Sequence, residues 1–357
     1  MLAGANSVHT ARWADGLASR GYEVHLVSAH SLDFLLDERV IFYRLRHNTP
    51  FAYALSAPEV RKLIEQIRPD ILNAHYATGY GLLARLVVFR PLLLSVWGSD
   101  IYDFPEKSFI HRALVRGNLK SATAIASTSQ CMARKVAEIL PHKHIFVTPF
   151  GIDVGKFKPK KRRDKISTEI VIGTVKTLSW VYGVDMLVRG FAHAWGKLGS
   201  PSNVFLEITG DGPDRKFLDN LVLELGLSAQ VRFWGAIAHE RVPDMLNRMD
   251  VYVALSRFES FGVAILEAAA CEIPVLVSDA EGLAEVTQDG VTGTIVPRNT
   301  FLAAGEAILG LIQNPEFRQQ LGVNGRKHVL ENYAWDISLD LMADAYTRTI
   351  QLASEST

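Results

Sequence analysis

Short apolar runs of three to seven residues alternate along the chain with longer stretches whose apolar positions recur every three or four residues. The short runs predict buried strands and the longer stretches predict amphipathic helices. In the first half the strand-like runs are Glu23–Ser28, Asp70–His75, Leu92–Trp97, Thr123–Ser127 and Ile145–Thr148. In the second half they are Glu169–Val175, Val204–Thr209, Val231–Trp234, Val251–Leu255, Pro274–Val277 and Thr294–Val296. Strands that alternate with helices in this way predict parallel sheets covered by helices, an α/β chain. Between the halves, Phe157 to Lys165 is polar and basic with Pro159 inside it, and predicts a linker. A helix over Ser7–Arg20 ends at Gly21, yet only Met1-Leu2-Ala3 precede the loop Gly4-Ala5-Asn6, so the first strand of the sheet is expected to be cut short against the usual five or six residues. A last helix, Trp335 to Leu352, follows Asn332-Tyr333-Ala334 and fits either half.

A chain of 357 residues exceeds what one core ordinarily serves, which agrees with two domains. With 48% hydrophobic and 21% charged residues, and 38 basic against 38 acidic side chains, the composition is globular and gives no support to nucleic-acid binding. Cys131 and Cys271, the only cysteines, are too few for a disulfide framework or a cysteine zinc site, fit a reducing cytoplasm and read as structural. The N-terminus lacks the pattern of a cleavable signal peptide. The most apolar window, Gly79 to Gly98, is broken by Arg85, Arg90 and Pro91, so it predicts a helix and a strand rather than a membrane span. Arg112, Arg116 and Lys120 recur every four residues on a predicted helix, with Arg134 and Lys135 on the next. Such a row is either a solvated face or a dock for anionic lipid headgroups.

Candidate chemistry belongs in the loops after the strands, where open α/β sheets bind ligands. Glu259 and Glu267 lie eight positions apart around Ser260-Phe261-Gly262. The strand-like Asp250–Leu255 before them and the helical Val263–Ala270 after them put Phe261 and Gly262 at a helix N-terminus, whose unpaired N–H groups attract phosphate. One carboxylate precedes this anion site and the other lies about one turn into the helix, the order of sugar hydroxyls, diphosphate and ribose hydroxyls in a nucleotide sugar. Taken alone, a glutamate pair at this spacing is common in helices. His75 at a strand end fits a core histidine as well as a ligand, and Asp100 fits a helix cap or a turn. The loops at Gly4, Gly173, Gly210-Asp211-Gly212 and Gly235-Ala236 share the same sheet edges, where glycine is the ordinary choice for a tight turn. Lys176, just past a strand, is either a surface lysine or a partner for a leaving diphosphate. The sequence offers no metal-ligand cluster.

The chain resembles the retaining glycosyltransferases of family 4, bacterial lipopolysaccharide and polysaccharide members in particular. The resemblance rests on Gly4–Thr10, His75-Tyr76, Ser95–Asp100 with its Trp-Gly-Ser-Asp, Pro149–Asp153, Thr209–Pro213, Glu259–Glu267 and Gly282–Pro297. It implies the GT-B fold, two facing Rossmann-like domains with parallel sheets. The expected division is an acceptor-side domain over 1–156, a basic linker over 157–166, a nucleotide-sugar domain over 167–334, and a C-terminal helix over 335–357 able to cross back to the first domain. By resemblance Glu259 faces the transferred sugar, Glu267 holds the ribose hydroxyls, and the N–H groups of Phe261 and Gly262 hold the diphosphate. Gly210, Gly235 and Ala236 meet base or ribose, His75 and Asp100 line the reaction centre, and Gly4 admits phosphate or acceptor.

The implied activity is metal-independent, retaining transfer of a sugar from a nucleotide-diphosphate donor to a hydroxyl of a glycan or lipid-linked acceptor. No cofactor is involved, and the enzyme would be cytoplasmic or peripheral on the inner face of the membrane. The family's second phosphate-gripping lysine is absent: Val181 stands where it is expected, leaving Lys176. A glycoside hydrolase with two carboxylates fits poorly, because it does not require a carboxylate beyond an anion site. A catalytically weakened nucleotide-sugar-binding or assembly subunit is the alternative from another class.

Overall fold

The computed structural model describes residues 1–47, 52–142, 144–160 and 169–355. Residues 161–168 fall outside it, so of the linker expected over 157–166 only 157–160 are described. The chain forms two compact units, Met1–Phe150 with Asp336 onward, and Gly151–Trp335.

In the first unit the strands are β1 (Val24–Ser28), β2 (Val40–Arg44), β3 (Leu72–His75), β4 (Leu92–Val96), β5 (Ala124–Ser127) and β6 (Ile145–Val147). β1 pairs with β2, and β3 to β6 pair in sequence order, all parallel. The two sets are joined through Leu2, which bridges Val27 on one side and Ala74 on the other. Its N–H donates to Asn73 and its carbonyl accepts from His75, while Val27 donates to Met1. The segment Met1–Ala3 thus occupies a central strand's place, giving the order β2, β1, Met1–Ala3, β3, β4, β5, β6. Apolar side chains such as Leu83, Leu92, Leu94, Leu119, Ile125 and Val136 fill the core.

The second unit contains β7 (Ile170–Val175), β8 (Val204–Thr209), β9 (Val231–Gly235), β10 (Val251–Ala254), β11 (Val275–Ser278) and β12 (Gly293–Val296). They form one sheet in the order β12, β11, β10, β7, β8, β9, with every pairing parallel. From β7 the chain steps outward through β8 to β9, then returns to β10 and steps out the other way. That order is the doubly wound Rossmann arrangement. β10 and β11 are buried at every position, as strands covered on both faces must be. Phe191, Leu206, Val253, Leu276, Ile308 and Leu321 belong to the core.

One boundary differs from that expected. Gly151–Lys156 packs with the second unit, because Ile152 exchanges backbone hydrogen bonds with Tyr333 and Trp335. The C-terminal helix, Trp335–Ser354, joins the first unit from Asp336 on. There the Tyr346 hydroxyl, 273 positions away in sequence, donates to Asn73 Oδ1 at 3.0 Å. Strand β2 is an addition to the expected strands: its Val40-Ile41-Phe42-Tyr43 is an apolar run, and it forms an edge strand paired on one side with Ile41 turned to solvent. Among the described residues no helix is long and apolar enough to cross a membrane.

Candidate active site

The reversal of strand order between β7 and β10 opens a crevice at their carboxyl ends, the place where doubly wound sheets bind ligands. Lys176 follows the last residue of β7, and Glu259 lies on the loop after β10. Their side chains meet there: Lys176 Nζ is 2.6 Å from Glu259 Oε2, with only 13% and 15% of the two side chains exposed. Ser256 Oγ donates to the same oxygen at 3.4 Å. The ammonium also lies 4.5 Å from the centre of the Tyr182 ring. Burial disfavours charge on Lys176, but the Glu259 carboxylate offsets this and the net pKa is raised. A charged lysine beside a carboxylate therefore lies at the switch point.

The neighbouring loop holds the lysine's backbone. Lys176 N–H donates to Thr209, Leu178 N–H to Asp211, and Gly210 N–H to the carbonyl of Gly235. Gly210 has φ +136°, and a β-carbon there would run into the Lys176 carbonyl, so only glycine lets these loops approach. Lys176, Gly210 and Ala236 line one cleft of about 390 Å³ with Asp211, Tyr182 and Thr209. Gly235 closes β9 with φ +69°.

Gly262, at φ +124°, is the N-cap of the helix Val263–Ala270, and Phe261 before it is buried. The positive end of this helix lies beside the Lys176–Glu259 loop cluster. Glu267, on its second turn, is 7% exposed. Its Oε1 lies 3.1 Å from His239 Nε2, and His239 Nδ1 lies 3.0 Å from Lys156 Nζ. An ammonium only donates, so Nδ1 accepts and Nε2 carries the proton given to Glu267. Sequence reasoning missed His239 and Lys156. His239 lies on the loop after β9, so a search of every residue past each strand end finds it.

Val181 is half-buried, and its carbonyl accepts from Arg257 N–H. The residue placed against Lys176 is Tyr182, immediately before Gly183. Arg257 forms a two-pronged pair with Asp185 at 2.9 and 2.8 Å and donates to the Trp180 carbonyl, which fixes this loop. The arginine is thus committed to structure.

In the first unit the corresponding reversal falls between Met1–Ala3 and β3; Gly4 follows the first segment and His75 is the last residue of the second. A β-carbon on Gly4 would press on Asn6 Oδ1 at 3.0 Å. His75 is 1% exposed, and its Nε2 is 2.8 Å from Asn73 Oδ1. Asn73 Nδ2 donates to the Leu93 carbonyl, which fixes the amide's orientation. Oδ1 must then accept from His75, so the proton is on Nε2. The other ring nitrogen, Nδ1, is buried without a hydrogen-bond partner among the described residues. Burial pushes the imidazole pKa down to about 3, so the ring is neutral.

Asp100 is also 1% exposed. Its Oδ1 accepts from Trp97 and Gly98 N–H at 3.1 and 2.9 Å, and its Oδ2 from Ala77 N–H at 2.7 Å. Burial raises its pKa against the pull of these three donors. Its carboxylate ties the β3 and β4 loops together.

Lys176, Glu259, Gly210, Gly235, Ala236, Phe261, Gly262 and Glu267 thus belong to the second unit's switch-point edge, and Gly4, His75 and Asp100 to that of the first. Among the described residues no group of three or more His, Cys, Asp or Glu is arranged to hold a metal ion.

Residues 156–328 match the family model described as glycosyl transferases group 1, and residues 1–129 match the model described as glycosyl transferase 4-like. The N-acetyl-alpha-D-glucosaminyl L-malate synthase of Bacillus anthracis is 24% identical over 339 residues, covering 89% of this chain and 87% of that protein. A GDP-mannose-dependent alpha-(1-6)-phosphatidylinositol monomannoside mannosyltransferase of Mycolicibacterium smegmatis is 28% identical over 201 residues, 52% of each chain. Among solved structures, HepE of Anabaena in complex with UDP-glucose superposes with a TM-score of 0.80 at 18% identity, covering 97% of this chain and 98% of that one. The chain belongs to the family 4-like glycosyltransferases of GT-B fold, with a group 1 domain in its second half.

Proposed function

We propose that the protein transfers a sugar from a nucleotide-diphosphate donor to a hydroxyl of a glycan or lipid-linked acceptor in cell-surface polysaccharide synthesis, with retention at the anomeric carbon. The observation that carries the donor reading is the Lys176–Glu259 pair at the β7/β10 switch point, followed by a helix N-terminus and then by Glu267. In this reading Lys176 and the N–H groups of Phe261 and Gly262 neutralise the departing diphosphate, a task that charge and a helix dipole perform without a divalent cation. Glu259 orients sugar hydroxyls and stabilises positive charge at the anomeric carbon. Glu267 accepts from the ribose hydroxyls, and Gly210, Gly235 and Ala236 bring backbone against ribose and base.

Retention follows if the acceptor oxygen attacks from the face the diphosphate leaves. The carbon–oxygen bond to phosphate breaks, the new glycosidic bond forms, and the departing phosphate oxygen takes the acceptor's proton. No protein nucleophile is needed. On the acceptor side His75 is neutral and offers the Nδ1 lone pair to a hydroxyl, Gly4 leaves room for the ligand, and Asp100 is a positioning residue for the loops beside them.

The relatives' activities support sugar transfer, in one case from GDP-mannose, and differ in sugar and acceptor, with N-acetylglucosamine and malate in one and mannose and a phosphatidylinositol mannoside in the other. A panel of UDP, GDP and ADP sugars, with binding measured by calorimetry beside a product assay, identifies the donor. Glu267→Ala is expected to weaken donor binding at least about tenfold, the loss of hydrogen bonds to a charged group. Wild-type binding and turnover in that variant would remove the ribose assignment. Retention is read from the anomeric configuration of the product, and metal independence from unchanged turnover in a chelator. Donor binding without product would instead favour a nucleotide-sugar-binding subunit.

A further inference from the structure

Two aromatic side chains on the second unit's ligand edge are turned to solvent. Trp180 is 57% exposed and Phe258 59%. They come from different loops, Trp180 after β7 and Phe258 after β10, yet their ring centres lie 6.3 Å apart at an interplanar angle of 44°. Single exposed apolar residues are ordinary on protein surfaces, whereas a contiguous pair beside a ligand site calls for an occupant.

The two loops are tied together by the buried Arg257. Its Cζ lies 4.7 Å from the centre of the Trp180 ring, its Nη1 donates to the Trp180 carbonyl, and the guanidinium grips Asp185 with hydrogen bonds of 2.9 and 2.8 Å. The Arg257 N–H donates to the Val181 carbonyl, so side chain and backbone alike fix the loops. Rings set in place before a ligand arrives lose little freedom when it binds.

Position decides what the rings can meet. Phe258 immediately precedes Glu259, the carboxylate paired with Lys176. Trp180 lies two residues before Tyr182, whose ring is 4.5 Å from the Lys176 ammonium. Neither ring lines the cleft shared by Lys176, Gly210 and Ala236, the place given above to ribose and base. They therefore border the sugar end of the donor site. Glu259 is largely buried and the rings stand open, so a sugar held by Glu259 lies inward of them, and the ligand they meet arrives from solvent. A pyranose has a rim of hydroxyls and faces of C–H groups. The face of an aromatic ring is apolar and electron-rich, so it takes a C–H face and leaves the hydroxyls free to react. We propose that Trp180 and Phe258 form a platform for the pyranose ring of the acceptor, which makes the acceptor a sugar residue and not an open-chain hydroxy acid or polyol. The inference rests on the donor reading proposed above and narrows its acceptor class.

Initial rates with the donor that the nucleotide-sugar panel identifies test it, with methyl pyranosides of glucose, galactose, mannose and N-acetylglucosamine as acceptors against malate and glycerol. Wild type is expected to transfer to at least one pyranoside and to neither open-chain compound. Trp180→Ala with Phe258→Ala should raise the KM for that pyranoside at least about tenfold, while the donor Kd by calorimetry stays within about twofold. Trp180→Leu with Phe258→Leu, which keeps apolar bulk without a ring face, should lose as much, and Trp180→Phe alone should keep most of the binding. Both side chains are more than half exposed, so the variants should retain the wild-type circular dichroism and melting temperature. Donor binding without transfer to any pyranoside, or a wild-type acceptor KM in the alanine or leucine variant, overturns the proposal. Weaker donor binding by the alanine variant with unchanged affinity for the free nucleotide assigns the rings to the transferred sugar and overturns the acceptor assignment. An equal fall in kcat at constant acceptor KM makes the rings structural and likewise overturns it. Failure of wild type to bind any nucleotide sugar removes the donor reading itself, an outcome distinct from all of these.

Discussion

Lys176 and His75 have opposite electrostatic settings, and each sets a measurable pH behaviour. Burial penalises charge on Lys176, but the Glu259 carboxylate 2.6 Å away outweighs it and the folded pKa lies above the ordinary 10.5. The pair's contribution is therefore complete below 10.5 and disappears only as pH rises through the higher folded value. Lys176→Met leaves Glu259 with Ser256 alone and removes a charge from the diphosphate. The loss of about 1.5–3 kcal/mol for a charge-assisted contact corresponds to roughly a ten- to hundredfold fall in kcat. Turnover within about twofold of wild type would show that the helix N-terminus alone holds the leaving group.

For His75 the sign is reversed. Its folded pKa is about 3 against 6.5 for the free side chain, so the unfolded chain takes up a proton below 6.5 that the folded protein refuses. Its stabilising share is present above 6.5 and is lost as pH falls from 6.5 towards 3, at about 1.4 kcal/mol per pH unit. Urea titrations across that range should show a shallower acid slope for His75→Gln than for wild type, because glutamine does not titrate. Parallel slopes would mean the imidazole is hydrated and not held neutral.

At the scale of elements, the site depends on contacts that join loops far apart in sequence. Glu267 lies on one helix, His239 on the loop after β9 and Lys156 ahead of β7, with hydrogen bonds of 3.1 and 3.0 Å between them. His239 keeps the carboxylate oriented before any ribose arrives. His239→Ala should raise the donor KM about tenfold, the worth of one charge-assisted hydrogen bond, with a smaller change in kcat. His239→Gln, whose amide can both donate and accept, should recover most of the loss. A fall in kcat at constant KM would place His239 in the chemistry instead. These contacts explain what the sequence discloses and what it conceals. The second unit's six strands are readable because each is a short apolar run between turn residues, and Glu259 to Glu267 are readable because strand, turn and helix are contiguous. β2 is absent from the predicted strands although Val40-Ile41-Phe42-Tyr43 is a continuous apolar run; what the sequence conceals is its edge position, with Ile41 facing solvent. The side chain placed against Lys176 is that of Tyr182, which loop spacing alone does not say. His239 and Lys156 become partners only through folding.

At the scale of the whole molecule, the chain's last helix completes the unit that its first residues begin. Leu339, Met342, Ala345 and Tyr346 are buried, and the Tyr346 hydroxyl shares Asn73 Oδ1 with the His75 ring. Arg20 adds ion pairs to Asp336 and Asp340 at 3.1 and 2.6 Å, worth little because these groups are largely exposed. The apolar side chains alone represent several kcal/mol of burial, comparable with the total stability of a domain. Truncation after Trp335 should therefore loosen the first unit selectively. Amide exchange is expected to accelerate in β3 and β1, where the sheet meets Leu2 and Asn73, while β7, β8 and β10 keep wild-type protection because their core lies within Gly151–Trp335. The nucleotide should still bind the truncated chain, since Lys176, Glu259, Glu267 and His239 all belong to the second unit, but transfer should fail as His75 loses the Asn73 setting that fixes its tautomer. Uniform loss of protection in both sheets would show instead that the two cores unfold as one, and preserved transfer would show that the tautomer of His75 does not matter to the reaction.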